Sequence, residues 1–346
     1  MLSRLRDSTF SIWSRYALRR LGASALTLLG VCTVTFVMVR VIGNPVYLLV
    51  GQRTSKEIVE AMTRSMGLDQ PIWVQYGQYL AALSTGDFGI SRATFRPVVD
   101  DVLLRLPATL ELVLYAMLIV ILVAVPLGIA AAVRQGGIID RFSQLLAQLG
   151  ASVPGFWFGL VLIFIFFAQL RIAPAPLGRL GRFDTPPPTV TGLYTVDSLI
   201  AGDLETFVSA VAHLILPSIT LALVAIPASL LITRNSLIGV LDSPYIRTAR
   251  AFGLKARTIN FHYAAKNVLV PLITVLAMTF GFLMSGTVLV EVIFSWPGIG
   301  LYAVTAMHQS DYDPVQAVVI LGALFYIGAY FVGDVLSAAI DPRVRA

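Results

Sequence analysis

The chain has 346 residues, of which 57% are hydrophobic and only 13% charged, with a formal net charge of +6 and a mean hydropathy of +0.82. That balance excludes an ordinary soluble core, whose helices are shorter and keep a polar face. The lone cysteine, Cys32, excludes a disulfide framework or a cysteine-based metal site within the chain.

Six windows hold no Asp, Glu, Lys or Arg: residues 21–39, 112–133, 142–170, 206–233, 267–290 and 314–333. A helix of about 20 apolar residues crosses a hydrocarbon core about 30 Å thick, so each window predicts one crossing. The fold class is therefore all-α, a polytopic membrane protein with six transmembrane helices. The first window follows basic residues as a signal peptide would. It is longer than a usual signal core and lacks a small-residue cleavage site before Arg40, so a retained helix is expected. Residues 1–16 mix apolar and basic side chains, which suits a stretch lying along the inner interface.

Orientation follows from the basic residues. With the N-terminus inside, 15 Lys and Arg fall in inner segments and nine in the three outer regions, a bias that predicts N-in and C-in. The positive charge is thus a topology signal with contact to lipid headgroups, and no nucleic-acid binding is inferred.

Residues 43–106 form an outer region too long for a simple connection. A helix is expected over 55–65, after which Gly67-Leu68-Asp69-Gln70-Pro71 reads as the end of one helix and the start of another. The Pro- and Gly-rich residues 171–205 read as a loop without regular structure. Residues 294–313, with Trp296-Pro297-Gly298, read as a re-entrant or interfacial turn in the aromatic belt. Prolines at 126, 154, 217, 227 and 271 lie at membrane depth and predict kinked spans.

The inner loop 234–266 is too polar for lipid and too long for a turn. Tyr245, Thr248, Ala249 and Phe252 recur at helical spacing, Gly253 closes that turn, and a second pattern runs from Lys255 to Tyr263. Such a helix has a face free to dock on a cytoplasmic partner or to lie on anionic lipid. Glu111, Glu291, Asp334 and His213 stand near span ends, where hydration or helix-to-helix hydrogen bonding accounts for them. Glu111 also lies in a first helical turn, where a carboxylate offsets the positive end of the helix dipole. No metal-ligand cluster, nucleophile-base pair or catalytic carboxylate pair is present in the pattern, and no Gly-x-x-x-x-Gly-Lys-Ser/Thr loop for nucleotide phosphates.

The run Tyr245-Ile246-Arg247-Thr248-Ala249-Arg250-Ala251-Phe252-Gly253-Leu254 resembles the coupling loop of bacterial ABC importer permeases of the dipeptide and oligopeptide branch. So do Gly67-Leu68-Asp69-Gln70-Pro71, Gly86-Asp87-Phe88-Gly89 with Arg96-Pro97-Val98, and Leu106-Pro107-Ala108-Thr109-Leu110-Glu111. Further matches are Phe294-Ser295-Trp296-Pro297-Gly298-Ile299-Gly300, Asp311-Tyr312-Asp313-Pro314 and Asp341-Pro342-Arg343. The general permease signature has Glu-Ala-Ala where this loop has Arg247-Thr248-Ala249, a departure similar to the peptide branch.

This resemblance implies a type I ABC importer permease (MetI-like) fold in the bacterial inner membrane. It divides the chain into an N-terminal segment, first helix and periplasmic region (1–108), a permease domain (109–338) and a cytoplasmic tail (339–346). It implies a second homologous permease subunit, two ATP-binding cassette ATPase subunits that hold ATP and Mg, an extracytoplasmic substrate-binding protein, and membrane lipid around the bundle. This chain itself would bind no cofactor. The coupling residues would be Tyr245, Arg247, Thr248, Ala249, Arg250, Ala251, Gly253 and Leu254, with the two arginines pairing with partner carboxylates and the alanines keeping the docked face slim. The small residues Gly281, Ser285 and Gly286, with Glu291, are expected at the translocation path or the pair interface. Members of the branch carry di- and oligopeptides, and also nickel chelates, glutathione, opines and some sugars. The competing class is a secondary transporter driven by an ion gradient, which calls for inverted repeats and unwound or charged mid-membrane segments. A structural scaffold is the third class.

Overall fold

The computed structural model describes residues 2–42, 55–65 and 67–340, the first helix by its backbone alone up to residue 17. The expected inner tail and the Asp341-Pro342-Arg343 motif lie largely outside the described residues, as do 43–54 of the first outer region. The elements are α1 (Leu2–Ile42), α2 (Lys56–Ser65), α3 (Ile72–Ser84), α4 (Val98–Val133), α5 (Ile138–Ser152) and α6 (Gly155–Leu162), which runs into a π-helical turn (Ile163–Gln169). They continue with α7 (Tyr194–Ala201), α8 (Leu204–Leu241), α9 (Pro244–Ala251), α10 (Ala265–Gly286), α11 (Val288–Ile293), α12 (Ile299–His308) and α13 (Tyr312–Ile340). Apart from one isolated bridge between Ile90 and Pro97, the described residues contain no β-structure.

Five helices are individually long and apolar enough to cross a bilayer: the Leu18–Arg40 part of α1, α4, α8, α10 and α13. The central one is α8, which packs along α4 and also touches α5, α6, α7 and α10. Leu112, Ala116, Val120 and Ala124 of α4 repeat every four residues and are fully buried against Leu214, Leu221, Ala222, Ala225 and Leu230 of α8. The alanines let the two backbones approach closely, which is how membrane helices gain dispersion energy without a hydrophobic drive between them.

The third window departs from expectation. It is two helices, α5 and α6, meeting at 104°. Val153 is extended (φ −92°, ψ 126°) ahead of Pro154, as the clash with a following proline ring dictates. The other four prolines stay within continuous helices. The broken pair is still one crossing. It runs antiparallel to α8, from Asp140 at Arg234, past Gly150 at Leu223 and Pro227 and Gly159 at Thr220, to residues 174–178 beside His213 and Leu216. With it the bundle has six crossings.

Other boundaries are corrected as well. The 171–205 loop contains α7, because Tyr194 to Ala201 can close a helix on the left-handed Gly202 (φ +70°). Window 267–290 divides at Thr287 into α10 and α11. The inner-interface stretch at the start is no separate element, since α1 continues unbroken from Leu2 to Ile42. The expected helix over 55–65 is α2, Gly67 follows it with φ +64°, and Pro71 opens α3.

Candidate functional site

Two groups of motifs that lie far apart in the sequence are gathered by the fold at opposite ends of α8. At one end stands the short helix α9. Pro244 occupies its first turn, where a missing N–H costs nothing. Its C-terminus is a complete Schellman motif: the Gly253 amide donates to the Arg250 carbonyl at 3.0 Å and the Leu254 amide to the Ala249 carbonyl at 3.2 Å. Gly253 sits at φ +76° to make that reversal.

The helix is seated on its own chain by Ile246 and Ala249, three residues apart and both buried, against Leu237, Leu241, Ile259, Ala264, Val268 and Ala132. Asn267 holds its near edge by donating to the Tyr245 hydroxyl at 2.9 Å. The opposite face is bare. Tyr245, Thr248, Ala251, Gly253 and Leu254 are exposed, as are Arg247 and Arg250, neither of which has an ion-pair partner among the described residues. Ala249 is corrected here: it belongs to the seat and is not on the bare face. Phe252, which the spacing from Tyr245 and Thr248 pointed to, is 83% exposed at the tip of that face.

Beneath the seat, the turn between α4 and α5 is fixed to α8 by a two-pronged ion pair. Arg234 donates from Nε and Nη2 to Asp140 at 2.6 and 2.9 Å, while the Gly136 amide and Gln144 occupy the remaining lone pairs. Bidentate guanidinium-carboxylate geometry of this kind fixes orientation as well as distance. At the same end Arg20 of α1 pairs with Asp334 of α13.

At the other end, motifs far apart in sequence interlock. Thr109 donates to Glu291 at 2.7 Å, the Leu301 amide donates to the same carboxylate at 2.8 Å, and the Ile299 amide donates to the Thr109 hydroxyl at 2.9 Å. Trp296 is wholly buried, its indole N–H donating to the Ala108 carbonyl at 2.8 Å; it is a core residue and no member of an aromatic belt. A Cβ at Gly298 would overlap both Glu291 and Thr109, so this approach admits glycine alone. Glu111, 1% exposed, accepts from Arg179 at 2.6 Å and from the Thr195 amide and hydroxyl at 2.8 and 2.7 Å. Asp311 collects Ser91 Oγ and the Arg92 and Ala93 amides. The carboxylates near span ends are therefore hydrogen-bonded within the protein.

Glu291 is fully buried in this lock, not on a path wall; burial pushes its carboxyl up, against the Thr109 and Leu301 hydrogen bonds. Gly281 is likewise committed within the chain. A Cβ there would stand 2.9 Å from Tyr326 Cδ2 and 3.1 Å from its Cα, so its smallness serves the crossing of α10 with α13. Ser285 and Gly286 remain on the exposed side of α10 with Met278 and Phe282, and Leu289 of α11 is exposed beyond them. Among the described residues no group of three His, Cys, Asp or Glu side chains could hold a metal ion.

A bundle of helices long and apolar enough to cross a membrane, with a short seated helix that keeps one bare face, has the build of a transport permease subunit. The family model described as "Binding-protein-dependent transport system inner membrane component" matches residues 124–346, and the N-terminal model of the same systems matches 13–113. The chain belongs to this family of ABC importer permeases and is a multi-pass inner-membrane protein. It is 40% identical to the probable D,D-dipeptide transport system permease protein DdpB of Escherichia coli K12, over 96% of this chain and 98% of that one. It is 37% identical to the dipeptide permease DppB of Alkalihalophilus pseudofirmus, over 95% and 99%, and 33% identical to the glutathione permease GsiC of Salmonella paratyphi A, over 95% and 98%. Nothing in these relatives supports a secondary transporter.

Proposed function

We propose that this chain is one half of the translocation pathway of an ATP-driven importer of di- or oligopeptides, which an extracytoplasmic binding protein delivers. Both termini are cytoplasmic. The observation that carries the reading is α9: Ile246 and Ala249 fasten it to the bundle, while Tyr245, Thr248 and Phe252 with Arg247 and Arg250 are exposed. Two ATPase subunits, holding ATP and Mg, dock one on that face of each permease of a pair, the arginines meeting their carboxylates. Closure of the ATPases then turns the bundle as a rigid body, since Ile246 and Ala249 tie α9 to α8 and α10. The second permease subunit packs on the exposed side of α10 and α11 through Met278, Phe282, Ser285, Gly286 and Leu289, with lipid around the remaining surface.

The substrate class rests on the named relatives, whose permeases serve dipeptides, a D,D-dipeptide or glutathione. Purified complex in proteoliposomes, supplied with its binding protein, should hydrolyse ATP faster when dipeptide is present and accumulate labelled dipeptide inside. Uptake driven by an ion gradient without ATP would refute the assignment.

A further inference from the structure

Between α4, α8 and α10, at the end that carries α9, lies a fissure of about 710 Å³. That size is in the range of a specific ligand site, roughly 300–1,000 Å³. Its walls are apolar: Ile129, Val133, Leu237, Leu269 and Leu272. Three polar side chains stand among the lining residues: Thr233, whose hydroxyl donates to the Ser229 carbonyl of its own helix, and Arg134 and Asn260, neither of whose side chains has a hydrogen-bond or ion-pair partner among the described residues. Arg134 is left free for a definite reason. Asp140, the carboxylate of its own turn, is saturated by Arg234, Gln144 and the Gly136 amide.

We infer that this fissure is a site for one anionic phospholipid of the cytoplasmic leaflet, its acyl chain lying along α4 and its phosphate on Arg134. The lining of α4 runs from Val125 to Arg134, roughly 13 Å of helix at 1.5 Å per residue, which gives an acyl chain a track parallel to the helix. An apolar track ending in a free guanidinium matches a molecule with an apolar tail and an anionic head, and basic pockets between membrane helices at the cytoplasmic side take such headgroups. The orientation rests on the proposed function. Leu237 and Val268 line the fissure and also form the seat of α9, so the lipid braces the element that receives the ATPase stroke.

The test is native mass spectrometry of the assembled complex taken from nanodiscs of equal parts phosphatidylglycerol and phosphatidylcholine. Wild type should retain phosphatidylglycerol over phosphatidylcholine by about fivefold, the equivalent of roughly 1 kcal/mol for one basic residue at an anionic headgroup. Arg134→Gln should bring that ratio to about one, and Ala130→Phe, which fills the track, should remove retained lipid of both kinds while the complex stays assembled. Equal retention in all three proteins would mean annular lipid and overturns the site. So would crosslinks from a cysteine at Leu269 to the partner permease or to bound peptide, since either then occupies the fissure. Lipid retention is read without transport, so a chain that binds phosphatidylglycerol this way but never couples to an ATPase would sink the proposed function and leave the lipid site standing.

Discussion

The turn after α9 allows a test of coupling in which sterics and backbone strain separate. At Gly253 a Cβ would meet nothing within 4 Å, so a substitution is penalised through φ +76° alone. A left-handed residue other than glycine costs about 1–2 kcal/mol, and more if it is β-branched. An eight-residue helix has no stability of its own to absorb that loss, and 1–2 kcal/mol is roughly a factor of 5–30 in the ratio of closed to frayed turns. Because asparagine tolerates this conformation, the order should be Gly, then Asn, then Ala, then Val. Two readouts on the assembled complex are needed: hydrogen exchange of residues 244–254, and ATPase stimulation by the loaded binding protein. Gly253→Val should insert and assemble normally yet exchange faster at the Leu254 amide and lose stimulation. If Val matched wild type in both, or Asn were worse than Val, the Schellman turn would not be what positions the docking face.

Four further outcomes can be measured. Arg179→Met leaves Glu111 buried without its cation and should cost about 3–5 kcal/mol in detergent thermal unfolding, with Glu111→Gln in the same chain recovering part of it. In a Cys32→Ser background, Phe183→Cys should react with an impermeant thiol reagent in intact spheroplasts and Ile138→Cys only after lysis; both native side chains are more than 80% exposed, and the reverse pattern would invert the orientation. Single cysteines along α10 and α11 should crosslink to the partner permease at Met278, Phe282, Gly286 and Leu289 and fail at Gly281, which faces Tyr326. Burial raises the Asp197 carboxyl, but hydrogen bonds from the Thr191 amide and hydroxyl and from the Val190 and Gly192 amides outweigh that and hold it below the ordinary range. Its stabilisation is therefore present above about pH 3.9, the ordinary value, and is lost only as pH falls through the lower folded value; Asp197→Asn should make residues 189–193 protease-sensitive already at neutral pH.

The crossings and the α9 loop were legible in the sequence because they depend on local properties, apolar length and a glycine-closed helical period. What escaped was set by tertiary partners. Five prolines looked alike as kinks, yet only Pro154 breaks its helix. Thr109 and Glu291 are 182 residues apart, and no periodicity announces that they meet. Trp296 carried the composition of an interfacial aromatic, but its burial depends on the Ala108 carbonyl waiting in another helix. Gly281 and Ala249 are small residues at close approaches, but both approach their own chain and not the partner surfaces where the sequence pattern put them. Arg247 and Arg250 are exposed, and no carboxylate among the described residues pairs with them.

The buried indole of Trp296 has a practical consequence. The sequence holds four tryptophans, and of the other three, Trp73 and Trp157 are more than half exposed, while Trp13 lies in the N-terminal part of α1. Replacing Trp13, Trp73 and Trp157 with phenylalanine would leave a single fluorophore, dry and hydrogen-bonded, at the junction of α4 with the α11–α12 turn. Its emission wavelength and quenching by iodide would then report, without any attached dye, whether that junction stays shut or admits water as the transporter turns over.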